Sequence, residues 1–263
     1  MMGRTHALTG AAAWLAGCAA ATVAGHPPGV YELAVGTPMC AFGAIWPDID
    51  HPSSSVARSL GWPTVLLSEV VAWFGRRIHA DTCIDGDYPD RDGHRTFTHT
   101  AVFAIACFIG FGLLGVHGAR WAVMAVTALA AGTALRALRV RGVTRLLMVA
   151  AVVAVAWWRP APSGWWLGWA IGAGAMVHNF GDRDTDTGVP LLWPIPIKGR
   201  RWYKFRAARW RRLTTSADSR AEMVIRWLCT AWCLLALPVM AYYRWPVFAQ
   251  FTHQVIAALA ERR

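Results

Sequence analysis

The sequence lacks internal repeats, low-complexity linkers and any regular spacing of its cysteines. Without a repeat or a linker, residues 1–263 are interpreted as a single domain. The six cysteines are scattered, mostly within apolar stretches, which excludes a zinc ribbon and a disulfide framework. Acidic residues are also scarce, with 15 Asp and Glu and 26 Lys and Arg, so the net charge is +11.

Apolar residues are abundant. They make up 56% of the chain, whereas soluble domains have about 45–50%. The 16 tryptophans suit a protein whose side chains meet the water–lipid boundary. On such a protein the positive charge indicates basic cytoplasmic loops in contact with anionic lipid headgroups. The composition therefore predicts a polytopic membrane protein with membrane lipids as partners.

The apolar stretches predict an all-α bundle of about five to seven membrane-spanning helices. The basic segment 198–212 and a surface helix over Val65–Phe74 lie outside these spans. The two weakest spans are the fourth and fifth. The predicted spans are residues 7–25, 30–46, 98–117, 120–135, 146–158, 165–180 and 224–243.

Two histidines stand directly before the third span, in His94-Arg95-Thr96-Phe97-Thr98-His99. Neutral imidazole is a common metal ligand. The alternative is a pair of interfacial histidines at a helix end capped by Thr96 or Thr98. The rest of the chain favours the metal interpretation, because threading the spans back and forth brings every cluster of ligand-type residues to one side of the membrane.

The same threading sorts the positive charges. All but Arg120, Arg159, Arg244, Arg262 and Arg263 of the 26 Lys and Arg residues fall on the side of these clusters. The positive-inside rule makes that side the cytoplasm. We therefore expect a multi-pass protein of a bacterial inner membrane, with its site facing the cytoplasm.

The donors in these clusters are imidazoles and carboxylates. His178 and Asp182 are four residues apart, so they share one face of a helix. Mixed donors of this kind suit zinc, with manganese or iron as alternatives. The candidate metal ligands are His6, Asp50, His51, His94, His99, His178 and Asp182. Asp48, Asp50 and His94 are the candidate catalytic groups, and Arg95 is a candidate substrate-binding residue.

Three segments carry a family resemblance: PDIDHP at 47–52, HRTFTH at 94–99, and His178-x-x-x-Asp182 followed by GVPLLWP at 188–194. In this order they resemble the YdjM-type family, whose members are regarded as inner-membrane, metal-dependent hydrolases. Two departures stand out. Thr96 stands where the pattern has glycine, and Asp184 with Asp186 makes the third segment more acidic.

More distantly, the family is similar to zinc-dependent phospholipases C and single-strand nucleases, which hold up to three zinc ions. That likeness implies that His6, His178 and Asp182 are ligands and that the site can hold two or three zinc ions. It also implies hydrolysis of a phosphoester, in a phospholipid or lipid-linked substrate, by a metal-activated water. The alternatives are a membrane-attached nuclease linked to DNA damage, with nucleic acid the less favoured partner, and a non-enzymatic membrane protein.

One local pattern competes with the first span. Leu15-Ala16-Gly17-Cys18 matches a lipoprotein cleavage site, and cleavage there would remove His6. The threading argument requires that the first span is kept, so we expect no cleavage.

Overall fold

The computed structural model describes residues 2–89, 92–159, 161, 163–206 and 219–244. Within these ranges the chain is helical, with only isolated bridges such as Val189 to Phe205. The predicted all-α class is confirmed. The helices are α1 (Gly3–Val23), α2 (Thr37–Gly43), α3 (Trp62–Thr82), α4 (Ala101–His117), α5 (Arg120–Ala137), α6 (Gly142–Trp158), α7 (Trp166–Arg183) and α8 (Arg220–Arg244).

Two of the helices are long and apolar enough to cross a membrane. These are α1 and the Arg220–Tyr243 part of α8, whereas the apolar helices α4 and α6 are shorter. Six of the seven predicted spans agree with a helix to within four residues at each end. The second, 30–46, is formed by a π-helix at Glu32–Gly36 followed by the short α2. The number of crossings and their direction remain predictions. The helix predicted over Val65–Phe74 is longer than expected. Helix α3 begins at Trp62 and continues through Arg76, Arg77 and His79 to Thr82.

Helix α7 lies at the centre and packs against α4, α2 and α1. Glycines make these contacts close, because a Cβ on Gly174 would overlap the Cys40 carbonyl and one on Gly168 would overlap the Phe108 carbonyl. Alanine is the commonest residue in the core around α7, and larger side chains such as Met39, Phe42 and Ile171 are buried with the alanines. Close packing brings backbone groups of α2 within reach of α7 side chains.

Helix α8 packs along α1. Leu15 and Cys18 of α1 are buried against Ala236 and Met240 of α8. At the start of α1, the buried Glu222 accepts hydrogen bonds from the Met2 amide and the Thr5 hydroxyl. Through these contacts, the first predicted span is an integral part of the helical bundle.

Several chain segments meet at one end of the bundle. The start of α1, the start of α4 and the end of α7 lie there, together with two 3₁₀ turns. The turn Trp46–Asp50 follows α2, and the turn Phe97–His99 precedes α4. Helix α4 is capped by Thr100, whose hydroxyl accepts from the Phe103 amide at 3.1 Å, rather than by Thr96 or Thr98.

Candidate metal centre

Four of the side chains singled out from the sequence converge at that end. Each of Asp48, His99, His178 and Asp182 offers one ligand atom, and these atoms all lie within 4.8 Å of one another. The Nε2 atoms of the two histidines are 3.1 Å apart. The cluster is a possible metal-binding group assembled from a 3₁₀ turn after α2, a 3₁₀ turn before α4, and α7.

The orientation of His178 is fixed by the backbone of the neighbouring helix. Its Nδ1 donates a hydrogen bond of 2.8 Å to the Ala44 carbonyl, directly after α2. A neutral ring held in this way presents the lone pair of Nε2 to the cluster, as a metal-ligating histidine requires. Asn179, the next residue, donates to the Thr100 carbonyl at 3.1 Å and so fixes α7 against the start of α4.

Asp50 lies behind the cluster and connects both histidines of the HRTFTH segment. Its Oδ1 is 2.8 Å from Nδ1 of His94, and its Oδ2 is 3.5 Å from Nδ1 of His99. Oδ2 also accepts from the Thr98 hydroxyl at 2.5 Å and from the Arg95 amide at 3.1 Å. Asp50 therefore positions the imidazoles and lies outside the four-residue group, although the sequence indicated a ligand.

Burial and the neighbouring charges act in opposite directions on the pKa of the Asp50 carboxyl. For the Asp50 carboxyl, burial raises the pKa, while His99 and His94 hold it well below its usual range. Asp50 consequently stays ionised behind the histidines, where a carboxylate best orients them.

His6 lies against the other side of Asp182. Its Nε2 is 3.1 Å from Oδ1 of Asp182, and its ring stacks on that of His178 with centroids 3.9 Å apart. Its Nδ1 is buried and has no hydrogen-bond partner among the described residues. The predicted ligand His6 therefore reaches the site, but it contacts a carboxylate of the cluster rather than the shared centre.

Arg95 also contacts Asp182. Its guanidinium lies 2.7 Å from Oδ2 of Asp182, and it donates to the hydroxyls of Thr185 and Thr187. The Arg95 backbone has a left-handed φ of +58°, two residues after Gly93, which also has a positive φ. The predicted substrate-binding arginine is thus held in the site by α7 and the residues after it.

His94 and His51 lie towards solvent. The side chain of His94 is 24% exposed, and its Nδ1 is occupied by Asp50. The Nδ1 of His51 is 2.8 Å from the Ser53 hydroxyl, and the His51 ring packs edge-on against that of His94, with centroids 4.8 Å apart. Neither ring belongs to the four-residue group, although both were predicted ligands.

A cleft of about 600 Å³ opens beside this group. Asp48, His51, His94 and a run of serines line it, together with arginines from five separate parts of the chain. We call it the arginine cleft. Among the described residues its arginines are Arg4, Arg58, Arg95, Arg136, Arg139 and Arg226.

Sequence reasoning missed two parts of this site. The Ala44 carbonyl carries no side-chain signal, so its role could be found only from the packing of α7 on α2. Arg136 and Arg139 follow the fourth predicted span, and nothing in their spacing connects them to Asp48. Part of the basic segment, residues 207–212, lies outside the described residues.

Comparison with known protein families gives a match that covers nearly the whole chain. No curated protein and no solved structure matches the chain. The matching family is described as YdjM inner membrane protein, and the match covers residues 1–253, including every segment that builds the candidate centre. The chain belongs to the YdjM inner membrane protein family.

Proposed function

We propose that this protein is a membrane-bound, metal-dependent hydrolase that cleaves a phosphoester in a phospholipid or lipid-linked substrate at the cytoplasmic face. The observation that carries the proposal is the position of the group Asp48, His99, His178 and Asp182 next to the arginine cleft. A hydrolytic centre and a binding site for an anionic substrate would then share Asp48.

The spacing of the donor atoms suits a small cation. Besides the 3.1 Å between the imidazoles, Oδ1 of Asp48 is 3.7 Å from His99 Nε2 and 3.6 Å from His178 Nε2. Oδ2 of Asp182 is 3.6 Å and 3.7 Å from the same two atoms. Ligand atoms that bind one zinc ion at about 2.0–2.2 Å lie roughly 3–3.6 Å apart, which is close to these separations. Two imidazoles and two carboxylates are also a donor set that zinc accepts, with manganese or iron as alternatives.

The four residues that would hold the ion are therefore Asp48, His99, His178 and Asp182. When bound, the ion would act as a Lewis acid and would lower the pKa of a water molecule to about 7. In hydrolysis, the attacking water loses a proton and forms a new P–O bond. The leaving oxygen keeps the electron pair of the broken P–O bond and takes up a proton.

His94 is the residue best placed to move these protons. It lines the arginine cleft, and its Nδ1 is fixed by Asp50 at 2.8 Å. This arrangement leaves Nε2 to accept or donate a proton at the substrate, as in other histidine–carboxylate pairs. We assign His94 as the general acid or base, Asp50 as its positioning residue and Arg95 as a ligand for phosphoryl oxygens.

A nuclease would need exposed aromatic side chains for stacking on bases. Trp202, the first aromatic residue of the basic segment, is buried and stacks on Trp193 with centroids 5.0 Å apart. Its indole also packs against His79. This packing favours the lipid substrate over single-stranded nucleic acid.

The test is a metal and activity measurement on the purified protein in nanodiscs. Metal content by mass spectrometry is expected to approach about one ion per chain, with release of a phosphorylated headgroup or phosphate from lipid substrates. A protein that binds no divalent cation, or a loaded protein that releases only nucleotides from single-stranded DNA, would overturn the proposal.

A further inference from the structure

The arginine cleft carries more positive charge than a single phosphate group needs. Among its described lining residues it has the six arginines and one carboxylate, that of Asp48. That carboxylate already faces His99 and His178. Four of the six arginines, Arg4, Arg58, Arg136 and Arg139, form no ion pair with a described residue, which creates a strong local attraction for anions.

The partners of these arginines support the same conclusion. Arg58 donates to the Pro52 carbonyl and Arg136 to the Ser59 carbonyl, contacts that orient the side chains without neutralising them. The guanidinium groups of Arg4 and Arg139 have no hydrogen bond or ion pair to a described residue. Arg95, by contrast, is paired with Asp182.

The arginines of the cleft lie on several different elements, so the positive charge extends beyond the residues next to the metal-binding group. Arg4 is on α1, Arg136 is in the last turn of α5 and Arg226 is on α8, while Arg95 adjoins Asp182. A volume of about 600 Å³ exceeds the needs of one phosphoryl group and lies within the usual range of ligand sites. One anionic group at Asp48 and Arg95 would leave Arg4, Arg58, Arg136 and Arg139 without an anionic partner.

We propose that the arginine cleft recognises a substrate with at least two phosphate groups, such as a diphosphate, with one group near Asp48 and Arg95 and the other among Arg4, Arg58, Arg136 and Arg139. Guanidinium groups bind phosphate oxygens through paired hydrogen bonds, so separate arginines can hold each group. The inference rests on the proposed function in assuming that the bound diphosphate is hydrolysed. Binding of the diphosphate can be measured without turnover.

The experiment compares one phosphate with two. Wild-type protein in phosphatidylcholine nanodiscs is titrated calorimetrically with inorganic phosphate and with methylenediphosphonate, a diphosphate analogue that is not hydrolysed. We expect the diphosphonate to bind at least about tenfold more tightly. The double variant Arg58→Gln/Arg139→Gln should lose about tenfold or more in diphosphonate affinity and less than about threefold in phosphate affinity.

The matched control removes the same charge elsewhere. Arg77→Gln/Arg145→Gln changes two arginines on α3 and α6 that do not line the cleft. It should leave both affinities within about twofold of wild type. Equal binding of phosphate and diphosphonate by wild type, or equal losses in the control variant, would overturn the inference. Metal content measured on each variant excludes loss of the ion as the cause.

Further competition measurements identify whether the diphosphate comes from a lipid or from a soluble molecule. Long-chain alkyl phosphate and alkyl diphosphate are placed in the nanodiscs and compete with the diphosphonate. Stronger competition by the alkyl diphosphate than by inorganic pyrophosphate assigns a lipid substrate, whereas equal competition assigns a soluble diphosphate. Stronger competition by a single-stranded oligonucleotide than by either diphosphate contradicts the inference.

The outcome is separable from that of the proposed function. A protein that prefers the diphosphonate but hydrolyses no phosphoester keeps the recognition site and loses the hydrolase assignment. A protein that hydrolyses a phosphomonoester and binds phosphate and diphosphonate equally keeps the hydrolase assignment and loses the two-phosphate site.

Discussion

The Nε2 atoms of His99 and His178 lie 3.1 Å apart in the protein interior, although the two residues are 79 positions apart in the sequence. His178 donates from Nδ1 to the Ala44 carbonyl, so its Nε2 carries a lone pair when the ring is neutral. Two such nitrogens at this distance either share one proton or face a common cation. Oxygens of Asp48 and Asp182 within 4 Å of both nitrogens favour the cation.

Removal of one imidazole should empty the centre. We expect His178→Ala to lower the metal content of the purified protein from about one ion per chain to a small fraction, with activity falling about a thousandfold or more. The measurements are metal analysis and phosphoester hydrolysis. His117→Ala, which removes an exposed histidine at the end of α4, is the control and should retain both. Unchanged metal content in His178→Ala would contradict the ligand assignment.

Chelation should destabilise the protein. Without a cation, the half-buried Asp48 and the buried Asp182 carboxylates remain close together near two imidazoles. At a free metal concentration about 100 times Kd, binding adds about 2.7 kcal/mol, or roughly 5–10 °C in Tm. Tryptophan fluorescence during heating measures this shift with and without a chelator. The His178→Ala variant should show no chelator effect, and an equal shift in that variant would point to another binding site.

The sequence predicts the helices of this protein well because long apolar stretches bounded by turns leave few alternatives. It also brings His99, His178 and Asp182 to one end, since the parity of the helices determines which ends meet. The sequence does not distinguish the residues that would bind the metal from the residues that position them. Asp48 and Asp50 are two residues apart in one turn, and the packing of that turn alone places Asp48 in the cluster and Asp50 behind His99.

The arginine cleft illustrates the same limit. Arg4, Arg58, Arg136 and Arg226 lie on different elements, and only the tertiary packing of α1, α5 and α8 brings them to one cavity. In the sequence they are indistinguishable from topology signals, because basic residues at helix ends are expected on the cytoplasmic side of any membrane protein.

Asp50 should affect metal affinity without supplying a ligand. Asp50→Asn keeps the size of the side chain but removes the negative charge beside Nδ1 of His99. Loss of such an orienting carboxylate weakens metal binding by about 10–100-fold. Metal titration should therefore show the same stoichiometry as wild type at a higher Kd. Complete loss of binding at saturating metal would instead make Asp50 a direct ligand.

His94 should separate catalysis from metal binding. His94→Gln retains a polar side chain in the cleft but cannot move a proton, so we expect kcat to fall about 10²–10⁴-fold. Metal content should be unchanged, because His94 lies outside the four-residue group. The matched control is His117→Gln, which changes an exposed histidine at the end of α4 that does not line the cleft. Loss of metal in His94→Gln, or an equal loss of kcat in His117→Gln, would refute the assignment.

The orientation of the centre can be tested with a native cysteine. Cys83 is the exposed one among the six free cysteines, and it ends α3, which packs against both 3₁₀ turns that carry the site. If the centre faces the cytoplasm, a membrane-impermeant maleimide should label Cys83 in inverted vesicles and leave it unlabelled in intact spheroplasts. The Cys83→Ser variant gives the background from the half-buried Cys229 and Cys233. Labelling in intact spheroplasts above that background would place the centre, and its substrate, on the opposite side of the membrane.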